Sequence, residues 1–225
     1  MKLMVINPNT TTSMTDAVVA AARTVARPDT TIVGGTPADG VAGVESHYEE
    51  AWGALGVIDQ VRKGEEQGID GYVVACFGDT GVPAARELAN GPVVGMTEAA
   101  LMTAALIAHR FTIVTLPRRT IAHSERVVQA LGLGHRCTVR AVDVPVADLA
   151  EGSAHLAEVF AAEARREPDA EALILGCAGL TDLVGPLTAR LGMPVIDGVT
   201  AAVPMVEGLI AQGLTASRVN TWRHP

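Results

Sequence analysis

The sequence predicts an α/β fold made by internal duplication, two similar halves that are each a parallel sheet flanked by helices. Three observations predict it. Short apolar runs alternate along the chain with helix-length stretches, the pattern of parallel sheets built from right-handed βαβ units. Two of these runs, Tyr72-Val73-Val74-Ala75-Cys76 and Leu173-Ile174-Leu175-Gly176-Cys177, end on a cysteine followed by small or turn-forming residues. Their surroundings recur in the same order. Pro92-Val93-Val94-Gly95 follows the first cysteine, and Pro194-Val195-Ile196-Asp197 follows the second. A strand and turn precede each, Leu3-Met4-Val5-Ile6-Asn7-Pro8-Asn9 and Phe111-Thr112-Ile113-Val114-Thr115-Leu116-Pro117. Self-similarity at a fixed period outweighs any single motif.

In chain order, Leu3 to Ile6 is the first strand, and Asn7-Pro8-Asn9 turns out of it. Thr12 or Ser13 is placed to cap the next helix, with Asp16 in capping-box position relative to Ser13. That helix runs to about Arg27, and Thr31 to Gly34 is the second strand. Thr36 to Ser46, carrying Pro37, Gly40 and Gly43, reads as a wall or lid. A helix from Tyr48 to Gln67 is expected to bury Ala51, Leu55, Ile58 and Val61, and Gly68 ends it. The strand to Cys76, a helix Val82–Ala89, a strand at Val93-Val94 and a helix Glu98–Ala108 complete the first half. The second half repeats the order with strands at Thr112–Leu116, Val139–Val142, Leu173–Leu175 and Val195-Ile196. Its helices are Ile121–Leu131, Ser153–Arg166, Leu183–Leu191 and Thr200–Gln212. No low-complexity linker separates the halves, so they are expected to share an interface.

Composition narrows the class. At 225 residues and 48% hydrophobic the chain buries a substantial core, as one large domain or two small lobes. A formal charge of -8 and the lack of a basic stripe argue against nucleic acid. The most apolar stretch, Ala99 to Ala108, is about half the length a membrane helix requires. Three cysteines without a secretory signal suggest a reducing cytoplasm and free thiols.

A lone cysteine is ordinarily a small buried hydrophobe, and Cys137, without a counterpart in the first half, is read that way. Cys76 and Cys177 differ, because they occupy equivalent strand ends, where ligands gather in open α/β sheets. Glycine-rich turns and helix starts there are expected to lower a thiol's pKa. Zinc has no C-x-x-C or H-x-x-x-H to bind. His109, His123, His135 and His155 read as surface or helix-end residues, and His47 lies beside the glycine-bearing loop. Pyridoxal phosphate needs a Schiff-base lysine, and Lys2 and Lys63 are poorly placed for one. No cofactor and no metal are expected. Asn7, Asn9, Thr10 and Thr11 offer donors suited to a carbonyl oxygen or anion, or simply cap a helix.

Ile6-Asn7-Pro8-Asn9-Thr10-Thr11, Cys76-Phe77-Gly78-Asp79 and Leu175-Gly176-Cys177-Ala178-Gly179 resemble the hydantoin and allantoin racemases. These belong to the cofactor-independent aspartate/glutamate racemase superfamily, and the resemblance spans essentially the whole chain. Amino-acid racemases of that superfamily carry Asn-Thr and Thr-His after the two cysteines, where this chain has Phe77-Gly78 and Ala178-Gly179. Thr80 departs from the proline frequent in hydantoin-type relatives. The resemblance implies two pseudosymmetric lobes with the active site in the cleft between them. Residues 1–96 plus 204–225 would form lobe one and 97–203 lobe two, with the helices after Pro92 and Pro194 crossing over.

The activity implied is interconversion of D- and L-5-substituted hydantoins. One cysteine, as thiolate, removes the C5 proton, and the other, as thiol, delivers one to the opposite face of the planar enolate. Asn9, Gly78, Asp79, Thr115, Ala178 and Gly179 are the expected stabilisers of the developing oxyanion, and Gly43 and Val44 are expected to close on substrate. Allantoin is the nearest alternative substrate. Maleate isomerisation and arylmalonate decarboxylation are alternatives on the same fold, and a two-lobed binding protein without chemistry is the competing class. The expected partner is a small molecule, in a homo-oligomer, with no nucleic acid and no membrane.

Overall fold

The computed structural model describes residues 1–144 and 153–225. Lobe one starts with β1 (Lys2–Ile6), α1 (Thr12–Val25), β2 (Thr31–Gly35) and α2 (His47–Glu66). β3 (Gly71–Val74), α3 (Val82–Leu88), β4 (Val93–Gly95) and α4 (Met96–Ile107) follow. The second half repeats the series as β5 (Phe111–Thr115), α5 (Ile121–Ala130), β6 (Cys137–Ala141) and α6 (Ser153–Ala164). It closes with β7 (Ala172–Leu175), α7 (Val184–Leu191), β8 (Val195–Ile196) and α8 (Gly198–Ala211). The strand orders are β2-β1-β3-β4 and β6-β5-β7-β8, the same topology twice, and every pairing is parallel. No helix among the described residues is long and apolar enough to cross a membrane.

Each sheet is buried on both faces, which is why its central strands are continuously apolar. Leu3, Val5 and Val73 face α1 and α8, while Met4, Ile6, Tyr72 and Val74 face α2 and α3. In the second sheet Val114, Leu173 and Leu175 pack on α6 and α7, and Ile113 and Ile174 on α4 and α5. The lobes exchange helices. α4 leaves the first sheet and packs on β7 and β8, and α8 leaves the second and packs on β3, β4 and α1. The two exchanged helices pack on each other, and a Cβ at Gly198 would stand 2.5 Å from the Met96 carbonyl.

Three local expectations are corrected. The face of α2 toward the core is Gly53, Gly56, Val57, Gln60, Val61 and Gly64, whereas Leu55 is 57% exposed and Ala51 lies outside. The helix lies too close to lobe one for side chains there. A Cβ at Gly56 would stand 2.6 Å from Pro37, and one at Gly64 2.6 Å from the Tyr72 ring. Hydrophobic periodicity cannot register a face made of glycine. The α1 cap box is also absent: Thr11 is the N-cap, and its hydroxyl donates instead to the Ala42 carbonyl at 2.8 Å. β6 begins at Cys137 rather than Val139 because residues 137–141 pair in register with β5.

α4 and α8 start earlier than the sequence suggests, and their caps differ. In α8 the Asp197 side chain accepts from the Thr200 N–H at 2.8 Å. α4 has Gly95 in the corresponding place, and the Asp79 carboxylate arrives from the loop after Cys76. It accepts from the Thr97 and Glu98 N–H groups at 2.8 and 2.9 Å. A Cβ on Gly95 would collide with that carboxyl group. The duplicated halves therefore neutralise one helix end with carboxylates from different sequence positions.

Candidate active site

The carboxyl ends of the four central strands face one small cavity of about 50 Å³. β1 contributes Asn7, Pro8 and Asn9, and β3 contributes Ala75, Cys76 and Phe77. From the other lobe come Thr115 to Pro117 after β5 and Gly176 to Ala178 after β7. Met14, Val44, Thr120 and Ser124 complete the wall. Cys76 and Cys177 thus meet one space from opposite lobes, and they are only 8% and 9% exposed.

The β1 turn is an organised amide pair. The buried Asn7 side chain donates to Asn9 Oδ1 at 2.9 Å and to Thr15 Oγ1 at 3.1 Å. Asn9 Oδ1 also accepts from the Thr11 N–H at 2.9 Å, which only an oxygen can do. Its Nδ2 is therefore the group left over, with nothing stronger than Met14 Sδ at 3.5 Å. That leaves an amide donor beside the cavity.

Thr115 has a different capability from the one expected. Its hydroxyl proton goes to the Gly176 carbonyl at 3.0 Å, so the oxygen can accept from a ligand but has no proton to give. The turn after Cys76 likewise points away. The Gly78 N–H donates to Thr97 Oγ1 at 2.7 Å and Asp79 is taken up by α4, so both lie outside the cavity lining. Gly43 and Gly179 are outside it as well, whereas Asn9, Val44, Thr115 and Ala178 line it beside the two cysteines.

Thr80 is the neighbour that the sequence marked only as a departure. It is buried, and its Oγ1 lies 3.3 Å from Cys76 Sγ. A hydroxyl rotor accepts from a thiol and donates to a thiolate, so it serves both protonation states. Cys177 has no hydroxyl partner among the described residues, and its Sγ lies 3.2 Å from the Ala178 carbonyl. Thr120 and Ser124 were also missed. The signal was present in the duplication, since Pro117 to Thr120 stands in the second half where Pro8 to Thr11 stands in the first.

The expected low thiol pKa values are not found. Burial pushes Cys76 up to about 12, with the Asp79 and Glu50 charges adding to it and Thr80 opposing it. Burial, then the charge of Cys76 itself, pushes Cys177 up to about 12. Desolvation outweighs the turns because a thiolate in a dry cleft loses more hydration than a few N–H groups return. Each thiolate disfavours the other, so the pair holds at most one charge over a wide pH range.

This has a consequence for stability. Both groups are held protonated in the folded state, so their contribution is fully present below about pH 9 and declines as pH rises toward about 12. Denaturation midpoints measured across that window are expected to fall, and to fall less steeply for the Cys76→Ala/Cys177→Ala double variant. Parallel curves for the two proteins would contradict the assignment.

At the rim, lobe two reaches across to lobe one. Arg126 pairs with Glu50 through both carboxylate oxygens and donates to the Gly78 carbonyl at 3.2 Å. Burial raises the Glu50 pKa, but the Arg126 hydrogen bond and charge win and hold it below the usual range. His123 is not a surface residue, being 2% exposed on α5, where burial lowers its pKa against the pull of Glu50. His47 lies against it, ring centroids 4.7 Å apart.

Known proteins agree with this architecture. A hydantoin racemase of Rhizobium meliloti is 41% identical, over all of this chain and 95% of its own length. One from Pseudomonas sp. (strain NS671) is 40% identical, over all of this chain and 92% of its own. The structure of an allantoin racemase from Klebsiella pneumoniae, 44% identical, superposes with a TM-score of 0.96 over all of this chain and 94% of that one. Residues 3–206 match the family model described as Asp/Glu/Hydantoin racemase, and the chain belongs to that family.

Proposed function

We propose that this racemase interconverts the enantiomers of 5-substituted hydantoins, with Cys76 and Cys177 as its two acid–base groups. The observation that carries the reading is the placement of two thiols, from equivalent strand ends of the two lobes, on one small cavity. Removal of the C5 proton gives an enolate planar at C5, and a racemase must address both of its faces. Two groups that cannot both be charged suit the reaction, since abstraction needs one thiolate and delivery one thiol. Both are thiols in the resting cleft, and Thr80, which can donate to a thiolate, makes Cys76 the one better supported once ionised. The Asn9 amide is the donor best placed for the developing oxyanion. The division into residues 1–96 plus 204–225 and 97–203 belongs to the same reading, supported by the packing of α8 on β3 and β4.

Allantoin, a hydantoin with a ureido group at C5, is the second substrate. The hydroxyls of Thr120 and Ser124 on the lobe-two wall favour it, whereas Met14, Phe77 and Leu116 favour an apolar substituent. Circular dichroism of single enantiomers of benzylhydantoin, isopropylhydantoin and allantoin decides between them. The ellipticity of at least one is expected to decay to zero, and three unchanged signals would remove the proposal. Neither proton transfer calls on a metal, so exhaustive chelation is expected not to abolish racemisation. Activity lost to chelator and restored by zinc would show otherwise.

A further inference from the structure

Outside the cavity, the fold assembles a second set of chemically capable groups that the proton-transfer scheme does not use. His47 and Glu50 lie one turn apart at the start of α2, and His123 comes from α5 in the other half of the chain. One ligand atom from each of His47, Glu50 and His123 lies within 4.8 Å of the other two. His123 is almost wholly buried, yet no hydrogen bond reaches its ring among the described residues. Its nearest polar neighbour is Glu50 Oε2 at 3.9 Å, too far for a hydrogen bond.

The spacing suits a metal ion. Donors bound to a tetrahedral zinc at about 2.0–2.1 Å stand about 3.3–3.4 Å from one another. His47 Nδ1 is 3.4 Å and His123 Nε2 3.9 Å from Glu50 Oε2, and the three ligand atoms, all within 4.8 Å of one another, must draw together to bind one ion. Arg126, whose guanidinium reaches both Glu50 oxygens, Oε2 at 3.1 Å, orients the carboxylate and would share it with the ion. Two imidazoles and one carboxylate form a set that selects zinc-class ions and leaves a fourth position for water.

We propose that His47, Glu50 and His123 form a binding site for a zinc-class divalent ion that staples the two lobes beside the cavity. The ion is a clamp and takes no part in proton transfer. His47 follows directly on the loop that places Val44 in the cavity wall, and Ser124, the neighbour of His123, lines the opposite wall. Joining them fixes the cavity mouth, so loading the site restrains substrate entry and product release. This consequence rests on the proposed racemase reading, but binding itself does not.

The test removes the competing thiols first. Full-length Cys76→Ser/Cys177→Ser protein is titrated with Co²⁺ and Zn²⁺, followed by the visible absorption of tetrahedral cobalt and by calorimetry. One ion per chain is expected, together with a rise in Tm. Adding His47→Ala, an exposed substitution that leaves the core intact, is expected to weaken binding at least about 10-fold and to remove the tetrahedral spectrum. His123→Ala is expected to do the same, with His47→Ala deciding if that variant fails to fold. No binding at millimolar metal, or binding unaltered by His47→Ala, overturns the proposal whatever the protein's substrate proves to be.

Discussion

Cys76→Ala and Cys177→Ala are each expected to lower racemisation by about 10³-fold or more, the upper part of the range for a positioned acid–base group. Removing either sulfur leaves one face of the substrate carbon without a proton donor or acceptor. Neither replacement should unfold the chain, because both thiols sit at the edge of the core and touch the cavity. Cys137→Ala, at the start of β6 and away from the cavity, is expected to keep most of the activity. Deuterated solvent sharpens the test. A single variant with serine in one position should exchange the C5 proton of one enantiomer without inverting it. Racemisation at the normal rate by Cys177→Ala would end the two-base scheme.

The largest expected effect on stability comes from the carboxylate that crosses from the Cys76 loop to α4. Asp79→Ala removes the acceptor for two N–H groups in a buried site, with an expected loss of roughly 2–4 kcal/mol. It also places alanine at φ 55°, a left-handed conformation that aspartate and asparagine tolerate better. Asp79→Asn keeps one acceptor and the backbone preference, so its loss should be smaller. The second half of the chain suggests the rescue. Gly95→Asp alone collides with Asp79, but Asp79→Ala/Gly95→Asp copies the arrangement that Asp197 provides for α8. Denaturant midpoints are expected to place the double variant above both single ones. If the double variant is the least stable of the three, the cap is not interchangeable between the halves.

The pH dependence of this carboxylate gives an independent check. Burial, then the charge of Glu98, pushes Asp79 up to about 7, against the pull of the two N–H groups. A raised carboxyl favours the folded state most at low pH. Its contribution is therefore present below about 4 and is lost as pH rises through about 7. Asp79→Asn should flatten that part of the stability profile.

While the strand order came from the structure, the amino-acid sequence by itself determined the duplication, the parallel α/β class and the pairing of Cys76 with Cys177 at equivalent strand ends. These are legible because strand periodicity and strand-end position are local properties, and the same local pattern was written twice. Asn9 and Val44 were legible for the same reason, one at a strand end and the other in a loop too long for a simple connection. Only the tertiary structure decided which way each turn faces. Gly78 and Asp79 follow a cysteine in sequence, yet turn toward α4 because that helix, starting seventeen residues after Asp79, has glycine at its N-cap and so no cap side chain for the Thr97 and Glu98 N–H groups. Thr80 meets the Cys76 sulfur, Thr115 gives its proton to Gly176, and His47 meets His123 across 76 positions of chain. The thiol pKa values were decided there too, because a turn's N–H groups can be read from sequence but the dryness of the space they face cannot. Burial is a property of everything packed around a group, and it reversed the expected direction.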